Sequence, residues 1–251
     1  MNETARLSLF VITKNEEKNI AKCILSARSI VNEIIVVDSF SQDKTALICR
    51  DLGAIVFEHK FENFTQQKNF ALSKVSGNWA LSLDADETLT PQLAEEIRQA
   101  IASHQYDGYQ LPRVNNFWGK QMRHSGLNKE FLLRLVRTKK AKFTGGHVHE
   151  QLTVTGKVGR LKNVFEHHPY DTIESYLQKF NHYTTLAAKT MHQDGKHFHL
   201  IPAVLRLPFD FVKRYFFQLG FMDGFRGFVW AVFGAFYSFV KYTKLWLLER
   251  K

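Results

Sequence analysis

Blocks of apolar residues alternate with amphipathic stretches four times in the first hundred positions. LSLFVIT (7–13) is a short apolar run rich in β-forming residues, and KNEEKNIAKCILSARSIV after it carries Ile20, Ile24, Ala27 and Val31 at helical spacing. NEIIVVDS predicts a second buried strand, and SQDKTALICRDLG a helix closed by Gly53. AIVFEH followed by TQQKNFALSKVSG repeats the pair. NWALSL then leads into TPQLAEEIRQAIASH, with Thr90 as N-cap and Pro91 at the first helical position. Strands bounded by amphipathic helices in this order predict an α/β domain with a mostly parallel sheet and right-handed crossovers.

From residue 107 the pattern changes. DGYQLPRVNNFWGKQM, EFLLRLVRTKKAKFTG and EQLTVTGKV read as strands or hairpins, and DTIESYLQKFNHYTTLAAKTMHQDG as a long helix opened by Asp171 or Thr172. Residues 199–251 are a different kind of sequence, dense in Phe, so the expected division is a domain over 1–198 and an appended helical segment over 199–251.

With 45% hydrophobic residues in 251, the chain can bury a sizeable core. Its net charge of +10 calls for an anionic partner: nucleic acid, anionic lipid or a phosphorylated substrate. The clustering of many of its 22 Phe after residue 198 points to lipid and away from nucleic acid. Cys23 and Cys49 fall in apolar helical patterns with neither zinc spacing nor a disulfide framework, which suits a reducing compartment. MNETARLSLFVI has no long apolar stretch with a cleavage site, so no secretory signal is expected.

Candidate chemistry sits at the predicted strand ends, where open parallel sheets bind ligands. TKNEE follows the first strand, Asp38 ends the second, and DADE ends the fourth. Asp84 and Asp86 are hard oxygen ligands suited to Mg²⁺ or Mn²⁺ that also holds substrate phosphates. In isolation a D-x-D is a weak signal, and Glu87 alone would pass for an acid near a helix start. Convergence from three strands on one crevice is what strengthens the functional reading.

FVITKNEEKNI, IIVVDSFSQDKT, QQKNFAL and WALSLDADE, in this order, resemble the inverting family 2 glycosyltransferases with a GT-A fold, over residues 7–170. HVHEQL and the tail look like the subgroup that adds glucose to the heptose of the lipopolysaccharide inner core. The resemblance implies that Thr13, Asn15 and Glu16 line the nucleotide pocket, that Asp38 binds base or ribose, and that Lys68 sits by the base or diphosphate. Asp84 and Asp86 would be the D-x-D pair on ribose and divalent metal. The bland alternatives are a first-turn acid for Glu16 and a solvated helix face for Lys68.

An inverting transfer needs a carboxylate to take the acceptor hydroxyl's proton. Glu150 in TGGHVHEQL is the candidate; the family's usual acid pair is here His149-Glu150. His147 and His149 are orienting or metal-binding candidates, and His167 or His168 could reach diphosphate or metal. Trp118, with Arg113, Lys120 and Arg123 nearby in sequence, suits an acceptor groove, since aromatic faces stack on sugars and cations bind phosphate. The bland reading is a half-buried Trp among solvated cations. Arg134 and Arg137 lie in LLRLVR, where one of them could face the diphosphate.

The tail's longest uncharged run, 227–240, falls short of the ~20 residues a membrane-spanning helix needs. Cations punctuate its apolar blocks, which favours amphipathic helices lying in a membrane interface; helices packed on the domain are the alternative. The expectation is a monotopic enzyme on the cytoplasmic face of the inner membrane. It would use UDP-glucose and a lipid-anchored saccharide acceptor. A polyprenyl-phosphate sugar transferase of the same fold, and a non-enzymatic membrane-surface protein, are the competing readings. A nucleotidyltransferase would carry a glycine-rich loop where this chain has TKNEEKN.

Overall fold

The computed structural model describes residues 5–127, 129–145, 150–170 and 172–250, so His147, His149 and Asp171 lie outside the described residues. In chain order the first part runs β1 (Leu7–Thr13), α1 (Ile20–Ala27), β2 (Glu33–Asp38), α2 (Thr45–Asp51), β3 (Ile55–Glu58), α3 (Phe64–Ser73), β4 (Trp79–Asp84), β5 (Glu87–Leu89) and α4 (Pro91–Ser103). Then follow β6 (Gly108–Phe117), β7 (Lys120–Met122), β8 (Glu130–Arg137), β9 (Ala141–Thr144), β10 (Gln151–Val154), β11 (Val158–Arg160) and β12 (Phe165–Tyr170). The helices α5 (Ile173–Gln193), α6 (Leu200–Val212) and α7 (Phe225–Leu248) complete the chain.

The main sheet has the order β3-β2-β1-β4-β8-β6-β12-β5. Its first four strands are parallel, as the alternation of strands and helices predicts; β8 joins β4 antiparallel. Register matters for the chemistry: Thr13 stands opposite Asp38 and Ile12 opposite Asp84, so the ends of β1, β2 and β4 align. These strands are buried on both faces. Leu9, Val11, Ile34, Leu81 and Leu83 pack toward Ile20 and Ile24 of α1 and Leu93 and Ile97 of α4. The alternate residues Phe10, Ile35, Val37 and Ala80 meet Ala71 and Leu72 of α3 on the other face. The period of two along each strand thus serves two apolar layers, and this is why the strands read as near-continuous hydrophobic runs.

Most boundaries follow the sequence pattern. Thr90 caps α4, accepting from Leu93 N–H at 3.3 Å, and Thr172 caps α5. The first helix is shorter than its periodicity suggests. Asn15 adopts a left-handed backbone conformation (φ 54°), and the N–H groups of Asn15, Glu16 and Glu17 donate to Ser41, Thr45 and Asp43. Residues 14–19 are therefore a loop tied to the end of β2, and the helix begins only at Ile20.

The chain forms two compact units. One comprises the residues up to 113 together with 130–167; the other comprises 114–129 together with 168 onward. The break in the second half thus falls near 168, upstream of the expected 199, and α5 groups with the tail. Within this second unit Tyr176 of α5 stacks on Phe233 of α7 at 4.8 Å, and Phe180 on Phe236 at 6.0 Å. The backbone N–H groups of Arg123 and His124 both donate to Asp223. Among the described residues no helix is long and apolar enough to cross a membrane.

Candidate active site

At the ends of β1 and β2 the chain builds a polar ledge. Asp38, almost fully buried, accepts from the N–H and hydroxyl of Ser41. Asn15 accepts from Gln42 N–H at 2.8 Å, and Glu16 accepts from the Asn19 side chain at 2.7 Å. Asn15 and Glu16 therefore brace the loop locally, whatever else they meet. Thr13 differs: its hydroxyl is buried and has no hydrogen-bond partner among the described residues. An orphaned hydroxyl beside a buried carboxylate is a receptive spot for a polar ligand edge.

Beyond β4 a second cluster gathers. Lys68 of α3 reaches Asp84 at 3.0 Å and Glu150 at 3.1 Å, with its ammonium buried. Arg134 of β8 bridges the other oxygen of Asp84 at 2.8 Å and Glu87 at 2.7 Å. Glu87 has no exposed surface; it also accepts from the Asp84 N–H at 2.9 Å and faces Arg113 at 3.7 Å. Buried ions need partners of opposite sign, and here three cations (Lys68, Arg134, Arg113) interleave with three carboxylates (Asp84, Glu87, Glu150).

The electrostatics follow from this interleaving. Burial pushes the Asp84 carboxyl up, but Arg134 and Lys68 outweigh it and hold the group well below the usual carboxylate range. Burial also pushes Glu87 up, and there the pull of Arg134 is not enough, so Glu87 stays above its ordinary value. Arg134, though burial works against its charge, is held cationic by Asp84 and Glu87. Burial pushes Cys23 well up, and drives the Cys49 thiol up to about 12, so neither sulfur is a poised nucleophile.

Asp86 stands apart. Among the described residues it is faced by His167, at 3.4 Å, and by no lysine or arginine within ion-pair distance. Among the described residues its carboxylate is the one in the DADE segment that faces no lysine or arginine. A cleft of about 450 Å³ opens at the Asp84 cluster, lined by Lys68, Asp84, Arg113, Arg134, Phe143 and Glu150 among others. Arg113 and Arg134 each carry a buried Nε–H with no hydrogen-bond partner among the described residues. Donors of that kind suit an anionic ligand.

The structure brings together Thr13 with Asp38, and Lys68 with Asp84, Glu150 and Arg134; Asp86 has His167. It does not bring Arg137 to them. Arg137 lies opposite Trp79, at the start of β4, stacks over that indole at 4.6 Å and donates to His104 at 2.9 Å. Antiparallel β8 carries it to the wrong end of the sheet, five residues from Asp84 or roughly 17 Å along the strand. Of the two arginines, Arg134 is the one in the cleft. Trp118, Lys120 and Arg123 belong to the second unit, where Trp118 packs against Phe117 and Tyr176 and its carbonyl accepts from Arg226 at 3.0 Å.

Sequence reasoning missed the roles of Glu87 and Arg113. The available signal was a charged residue inside a run otherwise buried: Glu87 two residues before Leu89, Arg113 in LPRV, Arg134 in LLRLV. Such residues need one another, and the pairing becomes visible only once the sheet order is known.

The family model of glycosyl transferase family 2 matches residues 8–164. The chain belongs to that family. Its α/β architecture is the family's GT-A fold, and its activity is glycosyl transfer. An uncharacterised glycosyltransferase of Rickettsia typhi is 34% identical over 260 residues, covering 98% of this chain and 88% of that protein. The lipopolysaccharide core biosynthesis glycosyltransferase LpsC of Rhizobium meliloti is 31% identical over 249 residues, covering 96% of this chain and 92% of its own length. A solved glucosyl-3-phosphoglycerate synthase from Mycobacterium tuberculosis, bound to Mn²⁺, UDP and phosphoglyceric acid, overlaps partially. It is 22% identical with a TM-score of 0.37, over 46% of this chain and less than half (44%) of that one.

For a family 2 glycosyltransferase with a D-x-D segment, the residues present fit a divalent ion shared with substrate. Among the described residues no group of three or more His, Cys, Asp or Glu side chains gathers to hold a metal alone. A hard ion such as Mg²⁺ needs only one or two carboxylates when phosphates complete its shell. Asp86 with His167 offers that, whereas both oxygens of Asp84 already face cations.

Proposed function

We propose that this family 2 glycosyltransferase moves glucose from UDP-glucose, with inversion, onto a lipid-anchored saccharide of the lipopolysaccharide inner-core kind. The observation that carries the site assignment is Asp86: among the described residues a carboxylate with no lysine or arginine partner, beside an Asp84 that has two. The likeness to LpsC over nearly the whole chain supports the core-saccharide acceptor.

In this reading Thr13 and Asp38 take the polar edges of base and ribose. Asp86 and His167 would hold a divalent cation, Mg²⁺ or Mn²⁺, shared with the donor, and its charge would offset that of the departing diphosphate. The unpaired Nε–H groups of Arg113 and Arg134 donate to anionic oxygens of the donor. The acceptor hydroxyl oxygen attacks the anomeric carbon from the face opposite the diphosphate. The new C–O bond forms as the bond to the diphosphate breaks, and the electron pair leaves with the phosphate oxygen. Glu150 takes the hydroxyl proton, and Lys68, bonded to both Glu150 and Asp84, positions that base against the donor side. The reaction belongs at the cytoplasmic face of the inner membrane, where nucleotide sugars are available.

The test is transfer and hydrolysis of UDP-glucose with Mg²⁺ or Mn²⁺, compared with Asp86→Ala. Turnover should fall at least ~10³-fold, in line with the several kcal/mol a metal's charge supplies, while the melting temperature holds. An Asp86→Ala variant that is fully active in chelator sinks the assignment. Mass analysis of lipopolysaccharide from a strain lacking the gene identifies the acceptor.

A further inference from the structure

Helix α6 is turned inside out for a protein surface in water. Residues 201, 205, 209 and 212 share one face at helical spacing, and Ala203 and Asp210 lie on the opposite one. The inward face holds the polar contact: the hydroxyl of Ser238 in α7 donates to the Asp210 carboxylate. The outward face holds the hydrocarbon. Ile201 is 70% exposed, Leu205 61% and Phe209 64%, and the turn beyond the helix adds Phe217 at 81% and Phe225 at 78%. Scattered exposed apolar residues are ordinary, but a stripe of them along one helix face, with two further phenylalanines exposed in the segments that follow, is not.

The charges around this stripe are sorted by sign. Between residues 200 and 228 the acids are Asp210 and Asp223. Both are turned inward, Asp210 to Ser238 and Asp223 to the N–H groups of Arg123 and His124. The cations Arg206 and Lys213 remain exposed. The face presented outward is thus hydrocarbon flanked by positive charge. No helix among the described residues can span a bilayer, which leaves the geometry of a helix lying in the interface.

We infer that the outer face of α6 and the turn through Phe217 and Phe225 is a docking surface for an anionic lipid bilayer. Ile201, Leu205, Phe209 and Val212 enter the headgroup–acyl boundary, and Arg206 and Lys213 lie at headgroup level. The surface involves only residues of the second unit and no step of the transfer, so it does not depend on which acceptor is used.

The experiment is co-sedimentation of the full chain with vesicles of phosphatidylcholine, alone and mixed with phosphatidylglycerol. The protein should sediment with the mixed vesicles and much less with the neutral ones. Phe209→Ser and Phe217→Ser should each lower the partition coefficient roughly tenfold, the ratio expected for one aromatic side chain withheld from an apolar phase. Lys213→Glu should weaken binding at low salt and matter less at high salt. Thermal melts by circular dichroism confirm that each variant is folded. Full-length protein left in the supernatant with both vesicle types, or variants that bind as well as wild type, overturn the inference. A dimer in sedimentation velocity that Phe217→Ser splits, with no vesicle binding, would assign the face to a second copy and overturn it as well.

Discussion

The two units break the usual rule of protein surfaces in opposite ways. The first hides charge: Lys68, Glu87 and Arg134 are all buried. The second exposes hydrocarbon along α6. Each would be costly in a protein selected for stability alone, since buried ions lose hydration and exposed phenylalanines gain nothing from water. The first arrangement is tolerated because each buried ion has partners of opposite sign. The second leaves side chains exposed that no contact among the described residues covers, and the proposed docking surface would supply that cover. Buried charge is thus a sign of a site that is already assembled, and exposed hydrocarbon a sign of one that is not.

The largest effect that tests the first half of this comparison is on rate. Glu150→Gln keeps the shape and the contact distance to Lys68 but cannot accept a proton. Turnover should fall ~10²–10⁴-fold, the usual contribution of a general base, while UDP binding by calorimetry stays near wild type. Turnover that is barely changed would move the base to another acid.

Next comes Arg134→Met, which strips the shared partner from Asp84 and Glu87. Leaving buried charge uncompensated costs about 3–5 kcal/mol, read as a lower urea midpoint. The double variant Arg134→Met with Glu87→Leu should recover most of that stability and none of the activity. If activity returns with stability, the charges serve the fold and not the chemistry.

A smaller effect separates the two carboxylates by pH. Glu87 is raised in the folded state, so its contribution to stability is fully present below its unfolded value of about 4.3 and is lost as pH rises through the folded value. Asp84 is lowered, so its contribution is present above about 3.9 and is lost as pH falls through the folded value. Urea unfolding across this range should show Glu87→Gln flattening the decline on the alkaline side and Asp84→Asn flattening the one on the acid side. Asp84 is a third exposed, so its contribution should shrink in salt. A Glu87→Gln curve parallel to wild type contradicts the assignment.

What the sequence made legible follows from distance along the chain. Alternating strands and helices, the Thr90 cap, one of the two residues offered for the α5 cap and the places of Asp38 and Asp84 at strand ends are local patterns, and the structure has them where the sequence puts them. Thr13, Asp38 and Asp84 could be placed together because a parallel sheet aligns its carboxyl ends. The Glu87–Arg134–Arg113 network was not legible. It joins β5, β8 and β6, and their order in the sheet depends on pairings between strands far apart in sequence. The shortened α1 was hidden for another reason: periodicity in KNEEKNIAK says nothing about Asn15, whose conformation is fixed by hydrogen bonds to the end of β2.

The same limit explains why Arg134 and Arg137 looked interchangeable, and they give the smallest and sharpest prediction. Both sit in β8 and both follow apolar residues. Three positions nevertheless take Arg137 to the Trp79 end of the strand, where it stacks on the indole and meets His104. Its contribution is that of a partly exposed cation–π contact, about 0.5–1 kcal/mol. Arg137→Ala should therefore lower the urea midpoint slightly and leave kcat/KM for UDP-glucose unchanged. Arg134→Lys retains the charge yet loses the forked geometry that holds Asp84 and Glu87 at once, and should cost activity despite being the milder substitution. Equal losses of kcat/KM in the two variants would mean that the diphosphate reaches the far end of β8, and the cleft at the carboxyl end of β4 would no longer be the donor site.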